Sequence, residues 1–220
     1  MSNIRVIEIK EGIFEQNNQK AQDLRNQLKE NKTLLINLMS SPGSGKTTTL
    51  VSTINALKHD INIGVMEADI DSDVDARSID ATGAKVIQLH TGGMCHLDAE
   101  MTRQGIEALD ADGLDLVVLE NVGNLVCPAE FDTGAHKNVM ILSVPEGDDK
   151  PLKYPLMFSI VDLVLVNKMD AAEFFDFDMA VFKERLAKLN PDTEVIPISA
   201  KTGQGMEPWL EWLKDEVNKL

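Results

Sequence analysis

Ser41-Pro42-Gly43-Ser44-Gly45-Lys46-Thr47-Thr48 combines the residue types that hold a polyphosphate. The stretch follows the apolar run Leu34-Leu35-Ile36-Asn37-Leu38-Met39 and opens a segment able to wind into a helix. Gly43 and Gly45 let the backbone curl until its N–H groups face one anion. A helix beginning near Lys46 adds the positive end of its dipole. Lys46 has the reach for the outer phosphates, and Thr47 offers a hydroxyl to Mg2+. Strand, glycine-rich turn, Gly-Lys-Thr and helix predict the phosphate-binding loop of a nucleotide hydrolase, with residues 42–48 as its cradle. The usual pattern has glycine where this chain has Ser40.

Base selection falls to Asn167-Lys168-Met169-Asp170, after the run Leu163-Val164-Leu165-Val166. The Asp170 carboxylate can accept two hydrogen bonds from the N1–H and amino group of guanine. Adenine lacks that donor pair, so the site disfavours ATP. Lys168 lies along the base in this reading, and Asn167 braces the loop. Ser199-Ala200-Lys201 ends another strand-like run and resembles the loop that contacts the guanine oxygen in GTPases. Together these motifs predict GTP and GDP as ligands.

Two further strand ends carry acids. Val65-Met66-Glu67-Ala68-Asp69 ends one run, and Glu120-Asn121-Val122-Gly123 follows Leu116-Val117-Val118-Leu119. The second stretch resembles the Asp-x-x-Gly switch of GTPases with glutamate in place of aspartate. The Gly123 N–H can approach a γ-phosphate, and loss of that phosphate releases the loop. Asp69 and Glu120 are the candidate Mg2+ ligands, directly or through water; solvated strand-end acids are the alternative. Asp69-Ile70-Asp71-Ser72-Asp73-Val74-Asp75 imitates a calcium loop but has Val74 at the turn glycine and Asp80 at the last ligand position. A switch loop and a helix capped by Asp73 is the better reading.

The two cysteines also fall on loops at the nucleotide end of the sheet. Cys95-His96 follows a Gly92-Gly93 turn, and Cys127-Pro128 follows the Glu120–Gly123 switch. Free cysteine is more often core than ligand, but thiolate and imidazole are ligands of Zn2+ and Ni2+. Adjacent side chains on extended backbone point apart, so Cys95 and His96 do not readily grip one ion from the same side. Three ligands also fall short of four-coordination. A site shared across a homodimer answers both problems.

These loops need a rigid frame. The chain has 220 residues, 43% of them hydrophobic, which suits one domain with a substantial core. Strands are predicted near 34–39, 62–67, 85–89, 115–120, 138–143, 162–166 and 194–198. Helices are predicted near 46–58, 74–82, 97–109, 151–159, 173–189 and 206–218. Near-continuous apolar strands alternating with helices predict an α/β fold, a mostly parallel sheet covered on both faces. Ligand sites in such sheets lie at the carboxyl ends of the strands, where the motifs fall. Residues 1–32 are expected as a polar, amphipathic helical segment packed outside the core or on a partner, and 33–220 as the P-loop GTPase domain. The net charge of −15 disfavours nucleic acid as a partner. No apolar run is long enough to span a bilayer, no signal-peptide h-region opens the chain, and two cysteines make no disulfide framework. A cytoplasmic protein is expected.

The chain closely resembles the HypB family, SIMIBI-class GTPases that help insert nickel into [NiFe]-hydrogenase. The resemblance runs from about Leu34 onward. It is carried by Ser40 to Thr47, by Thr91-Gly92-Gly93-Met94-Cys95-His96-Leu97-Asp98-Ala99, by Glu120 to Pro128 and by Asn167 to Asp170. Serine at position 40 is common in that family. The resemblance implies a P-loop G-domain fold and a zinc or nickel site at Cys95, His96 and Cys127, on a dimer interface that GTP and metal promote. It also implies delivery with a HypA-type metallochaperone to a hydrogenase large-subunit precursor. The family's N-terminal cysteine motif and histidine-rich stretch are absent; the histidines are His59, His90, His96 and His136. Nickel storage is therefore not expected. Rival readings are a urease-type nickel-chaperone GTPase, a metal-binding module with structural nucleotide, and a small-molecule kinase. Cys127-Pro128-Ala129 lacks the histidine expected of the urease type, and Asn-Lys-x-Asp argues against the kinase. The role of His136 stays open between ligand, switch contact and packing.

Overall fold

Seven strand runs pair side by side, the inner ones buried on both faces and the two edge strands only in part. The structure, a computed structural model, describes residues 9–69 and 74–220. Strands β1 (Leu34–Ser40), β2 (Ile63–Asp69), β3 (Lys85–His90), β4 (Leu116–Glu120), β5 (Lys137–Ser143), β6 (Leu163–Asn167) and β7 (Glu194–Pro197) form one sheet in the order β3-β2-β4-β1-β5-β6-β7. Every pairing is parallel. Every residue of β1, β4 and β6 is buried, which a strand shows only when helices cover both sides of the sheet.

The covering helices are α1 (Ile9–Glu30), α2 (Lys46–Leu57), α3 (Val74–Asp80), α4 (Ala99–Leu109), α5 (Lys150–Lys153), α6 (Pro155–Ile160), α7 (Met179–Ala187) and α8 (Met206–Asn218). Alternation along β1 sorts them. Leu34, Ile36 and Leu38 meet Leu50, Ile54 and Leu57 of α2 and Trp209 and Leu213 of α8. Leu35 meets Leu24 and Leu28 of α1 and Ile106 and Leu109 of α4 on the opposite face. Met39 continues that face toward Met157 and Phe158 of α6 and Phe182 of α7.

Helix α1 therefore belongs to the core. Ala21, Leu24 and Leu28 are fully buried, and burying each leucine contributes about 2 kcal/mol. Two other helices are shorter than the periodicity predicted. Residues 150–160 split at Tyr154-Pro155, because proline cannot donate to the preceding turn. Residues 169–174 form a tight 3-10 turn, and α7 starts only after Asp178 accepts the Ala180 and Val181 N–H groups. The expected cap at Asp73, the loop 70–73 and the Asp69 side chain lie outside the described residues. Among the described residues no helix is long and apolar enough to cross a membrane.

Candidate functional site

The carboxyl end of β1 lies between β4 and β5, and the chain leaves it through the glycine-rich turn. Gly43 and Gly45 have φ of 74° and 97°, values at which a side chain is strained. A methyl at Gly45 would sit 2.5 Å from Asn167 Nδ2, so glycine there meets both a dihedral and a contact requirement. Gly45 also precedes α2 with no side-chain cap. The first amides of α2 are thus left for a ligand.

A cavity of about 660 Å³ opens over this turn, walled by residues 41–43 and 45–48, Glu67, Ala68, Asp75, Val122, Gly123 and Lys168. A second, of about 320 Å³, shares Gly45, Thr48 and Lys168 with it and adds Asn167, Asp170, Ala171, Ala200 and Lys201. The phosphate-binding and base-selecting motifs, more than 100 residues apart in sequence, thus line two halves of one groove. A nucleotide fits that division: polyphosphate over the turn, base beyond Lys168. Another cavity, of about 490 Å³, lies between Lys58, Lys85 and Asp112, away from these loops.

The base half is pre-set by hydrogen bonds. Asn167 donates through Nδ2 to the Ser44 carbonyl at 2.9 Å and accepts the Ala200 N–H at 3.0 Å. One buried amide therefore joins the phosphate turn to the Ser199–Lys201 loop, the bracing role expected of it. Lys168, at a left-handed φ of 65°, reaches back to the Gly43 carbonyl at 2.6 Å. Ser199 Oγ donates to Asp170 Oδ1 at 2.6 Å. Asp170 also lines the second cavity, and the hydroxyl fixes its carboxylate in place.

The phosphate half holds a buried acid. Glu120 Oε1 accepts from Lys46 Nζ at 2.8 Å and from Thr47 Oγ1 at 3.2 Å. Among the described residues, Glu120 Oε2 is buried with no hydrogen-bond partner, as is Ser44 Oγ. Glu67 stands opposite Glu120 in the β2–β4 register and lies on the face shared by Val65, Val118 and α2. Two carboxylates side by side next to a threonine hydroxyl suit a hard divalent cation with oxygen ligands, so these residues fit Mg2+. Sequence reasoning singled out Asp69; the structure adds Glu67 and Asp75 to the cavity wall. An acid within the buried part of β2 was the signal for Glu67.

The switch glycine touches the phosphate turn. A methyl at Gly123 would lie 3.2 Å from Pro42 Cγ and 3.4 Å from its nitrogen. Buried amides fix the start of this loop: Asn121 donates to Asn37 at 2.9 Å, and Asn37 donates to Asn138 at 3.0 Å. Cys127 follows four residues after Gly123 and opens a 3-10 turn at residues 127–129.

Cys95 and Cys127, 32 positions apart, are brought together. The Cys127 thiol lies beside that of Cys95, and this neighbour, with burial, pushes the Cys95 thiol up. Two neighbouring sulfurs fit a soft cation. Met94 and Val126, beside them, are exposed. His96 is not brought into the pair. Among the described residues no three His, Cys, Asp or Glu side chains gather closely enough to hold an ion. His96 stacks instead on Phe131, with ring centroids 4.0 Å apart. His136, left open by the sequence, is a packing residue: Nδ1 accepts the Leu35 N–H at 3.0 Å, and Nε2 lies 3.1 Å from the Arg25 carbonyl.

Comparison with known proteins agrees with this geometry. Residues 34–197 match the family described as CobW/HypB/UreG, nucleotide-binding domain. The chain is 44% identical to the hydrogenase maturation factor HypB of Escherichia coli (strain K12) over 216 residues, covering 98% of this chain and 74% of that protein. It superposes on HypB from Helicobacter pylori, crystallised in complex with nickel, with a TM-score of 0.87 and 37% identity, over 93% of this chain and 96% of that one. The hydrogenase maturation factor HypB of Archaeoglobus fulgidus gives a TM-score of 0.85 at 36% identity, covering 92% and 98%.

Proposed function

The chain belongs to the HypB family of the CobW/HypB/UreG nucleotide-binding group, and on that premise we propose that it is a GTPase that delivers nickel during [NiFe]-hydrogenase maturation. One observation carries the coupling of the two activities. The glycine that packs on the phosphate turn and the cysteine that meets Cys95 are four residues apart on one loop.

The residues divide the work. Amides of residues 43–48 and Lys46 cradle the phosphates, and Asp170, with the loop 199–201, selects guanine. Thr47, Glu120 and Glu67, with Asp69 at the end of the same strand, would hold Mg2+, which supplies neutralisation of the phosphate charge when bound. Lys46 leaves Glu120 when nucleotide enters, exchanging a carboxylate for phosphate oxygens. Gly123 then presents its N–H toward the γ-phosphate position and fixes the loop that ends in Cys127.

Nickel or zinc is cargo in this reading, gripped by the two sulfurs with His96 as a further donor. Metal–ligand distances tolerate only about ±0.2 Å, so a small shift of Cys127 after phosphate release weakens the grip. By linkage, metal changes the affinity for GTP by the same factor. The exposed Met94 and Val126 beside the thiols support a homodimer that completes the coordination across its interface. A HypA-type metallochaperone and the hydrogenase large-subunit precursor are the proposed protein partners, and the cytoplasm the proposed compartment.

The test is nickel titration of the whole chain in GDP and in a non-hydrolysable GTP analogue, with molecular mass measured alongside. Different nickel affinities in the two states are expected, with a dimer in the analogue. One affinity in both states overturns the coupling and leaves a GTPase alone.

A further inference from the structure

We propose that Phe131 is a latch on the metal site: it holds the His96 imidazole off the Cys95–Cys127 pair, and α1 keeps that latch closed. The proposal rests on the reading of the two cysteines as metal ligands and adds a positioning residue to it.

The two rings lie nearly parallel, 9° apart in plane, with centroids 4.0 Å apart. Such a contact fixes the imidazole plane and lets the ring move only by sliding out of the stack. Phe131 is backed in turn by Phe14 of α1, whose ring centroid lies 5.0 Å away. His96 directly follows Cys95 in the loop before α4, yet its ring lies in the stack on Phe131. The two thiols are neighbours, and no group of three donors forms among the described residues.

Helix α1 grips both loops next to the stack. Asn17, which is buried, donates to the Asp132 carbonyl at 2.8 Å and accepts the Ala99 N–H at 3.0 Å. Asp132 directly follows Phe131, and Ala99 comes three residues after His96. Arg25 clamps the Asp132 carboxylate at 2.8 and 2.9 Å and reaches the Ala135 carbonyl at 2.9 Å. The spacing of the two ring-bearing segments is therefore set by one helix. A cation meeting the closed form finds two sulfurs, whereas zinc and nickel are held best by more donors. Opening the stack supplies the third, and the cost of opening is subtracted from the affinity for metal.

The experiment uses the whole chain without nucleotide and Ni2+ alone as probe, read by calorimetry and by thiolate-to-nickel charge-transfer absorbance. Phe131→Leu, which keeps bulk but not the stack, should raise nickel affinity about two- to tenfold, the range an aromatic pair commands. Phe131→Tyr, which keeps the stack, should bind as the native chain does. Placed on His96→Ala, the leucine change should give no gain. An unchanged or lower affinity in Phe131→Leu, or the same gain without His96, overturns the latch while the native absorbance still stands. Absence of that absorbance in the native chain overturns both the latch and the metal-site reading. A second measurement needs no substitution. The His96 ring protons, shielded by Phe131, should move downfield when one equivalent of diamagnetic Zn2+ binds; unmoved resonances with zinc bound overturn the proposal.

Discussion

Lys46 Nζ lies 2.8 Å from Glu120 Oε1, and the Glu120 side chain is wholly buried. The lysine and glutamate proposed to hold phosphate and Mg2+ thus form a buried ion pair with each other. Removing one partner of a buried pair strands the other charge, at a cost of about 3–5 kcal/mol. Lys46→Ala should lower nucleotide-free stability by roughly that amount, and adding Glu120→Gln should recover most of it. Denaturant unfolding of the two variants checks this. Phosphate release by Lys46→Ala should fall by about 10²–10³-fold or more, since the fixed charge at the transferring phosphate is gone. If stability held while hydrolysis vanished, the ion pair would carry less of the fold than its burial implies.

Asp170 is held by Ser199 Oγ at 2.6 Å and lines the cavity. Asp170→Asn puts an amide donor where guanine needs an acceptor. Preference for GTP over ATP should drop by several orders of magnitude, since a site built to hydrogen-bond a polar group discriminates by about 10⁴–10⁵. Competition of unlabelled nucleotides against a fluorescent GDP derivative measures the ratio.

Replacing Cys95 by serine removes a soft ligand without touching the phosphate turn. Changes to groups that only support ligands cost about 10–100-fold in metal affinity, so loss of a ligand should cost at least that. GTP turnover measured without metal cargo should stay within about twofold of the native chain. Loss of turnover with the fold intact would mean that the thiol loops serve hydrolysis as well.

Burial holds the His136 imidazole below its ordinary value of 6.5, aided by the positive charges of Arg25 and Lys29. Its Nδ1 accepts the Leu35 N–H, which leaves no place for a second proton. The unfolded chain therefore takes up a proton that the folded chain refuses. The stability owed to this group is complete above pH 6.5 and declines as pH falls from there through the lower folded value. Urea unfolding between pH 7.5 and 5 should show that decline, and His136→Asn should flatten it.

All seven strands were legible because an apolar run between turn signals needs only local information. Their order was not, since β4 entering between β1 and β2 is a non-local choice. Asn167, Lys168 and Asp170 were named because the chemistry of guanine dictates those types, while their protein partners Ser44, Gly43 and Ser199 were not. Asn17 and Phe131 carried no such mark. An asparagine on a polar helix and a phenylalanine on a loop look like filler until the fold places each beside a ligand loop. Glu67 was passed over for Asp69 because both residues sit near one strand end. Only the pairing of β2 with β4 puts Glu67 opposite Glu120.

Gly134 has a φ of 81° and passes so close beneath α1 that a methyl there would sit 2.9 Å from Leu24. The first helix is thus laid directly on bare main chain, and Leu24 and Leu28 roof Leu35 and Leu119. Expressing only the portion that matches the family description, from residue 34, would unroof that side of the sheet and leave a sticky apolar face. The smallest well-behaved fragment of this GTPase begins upstream of its recognisable motifs.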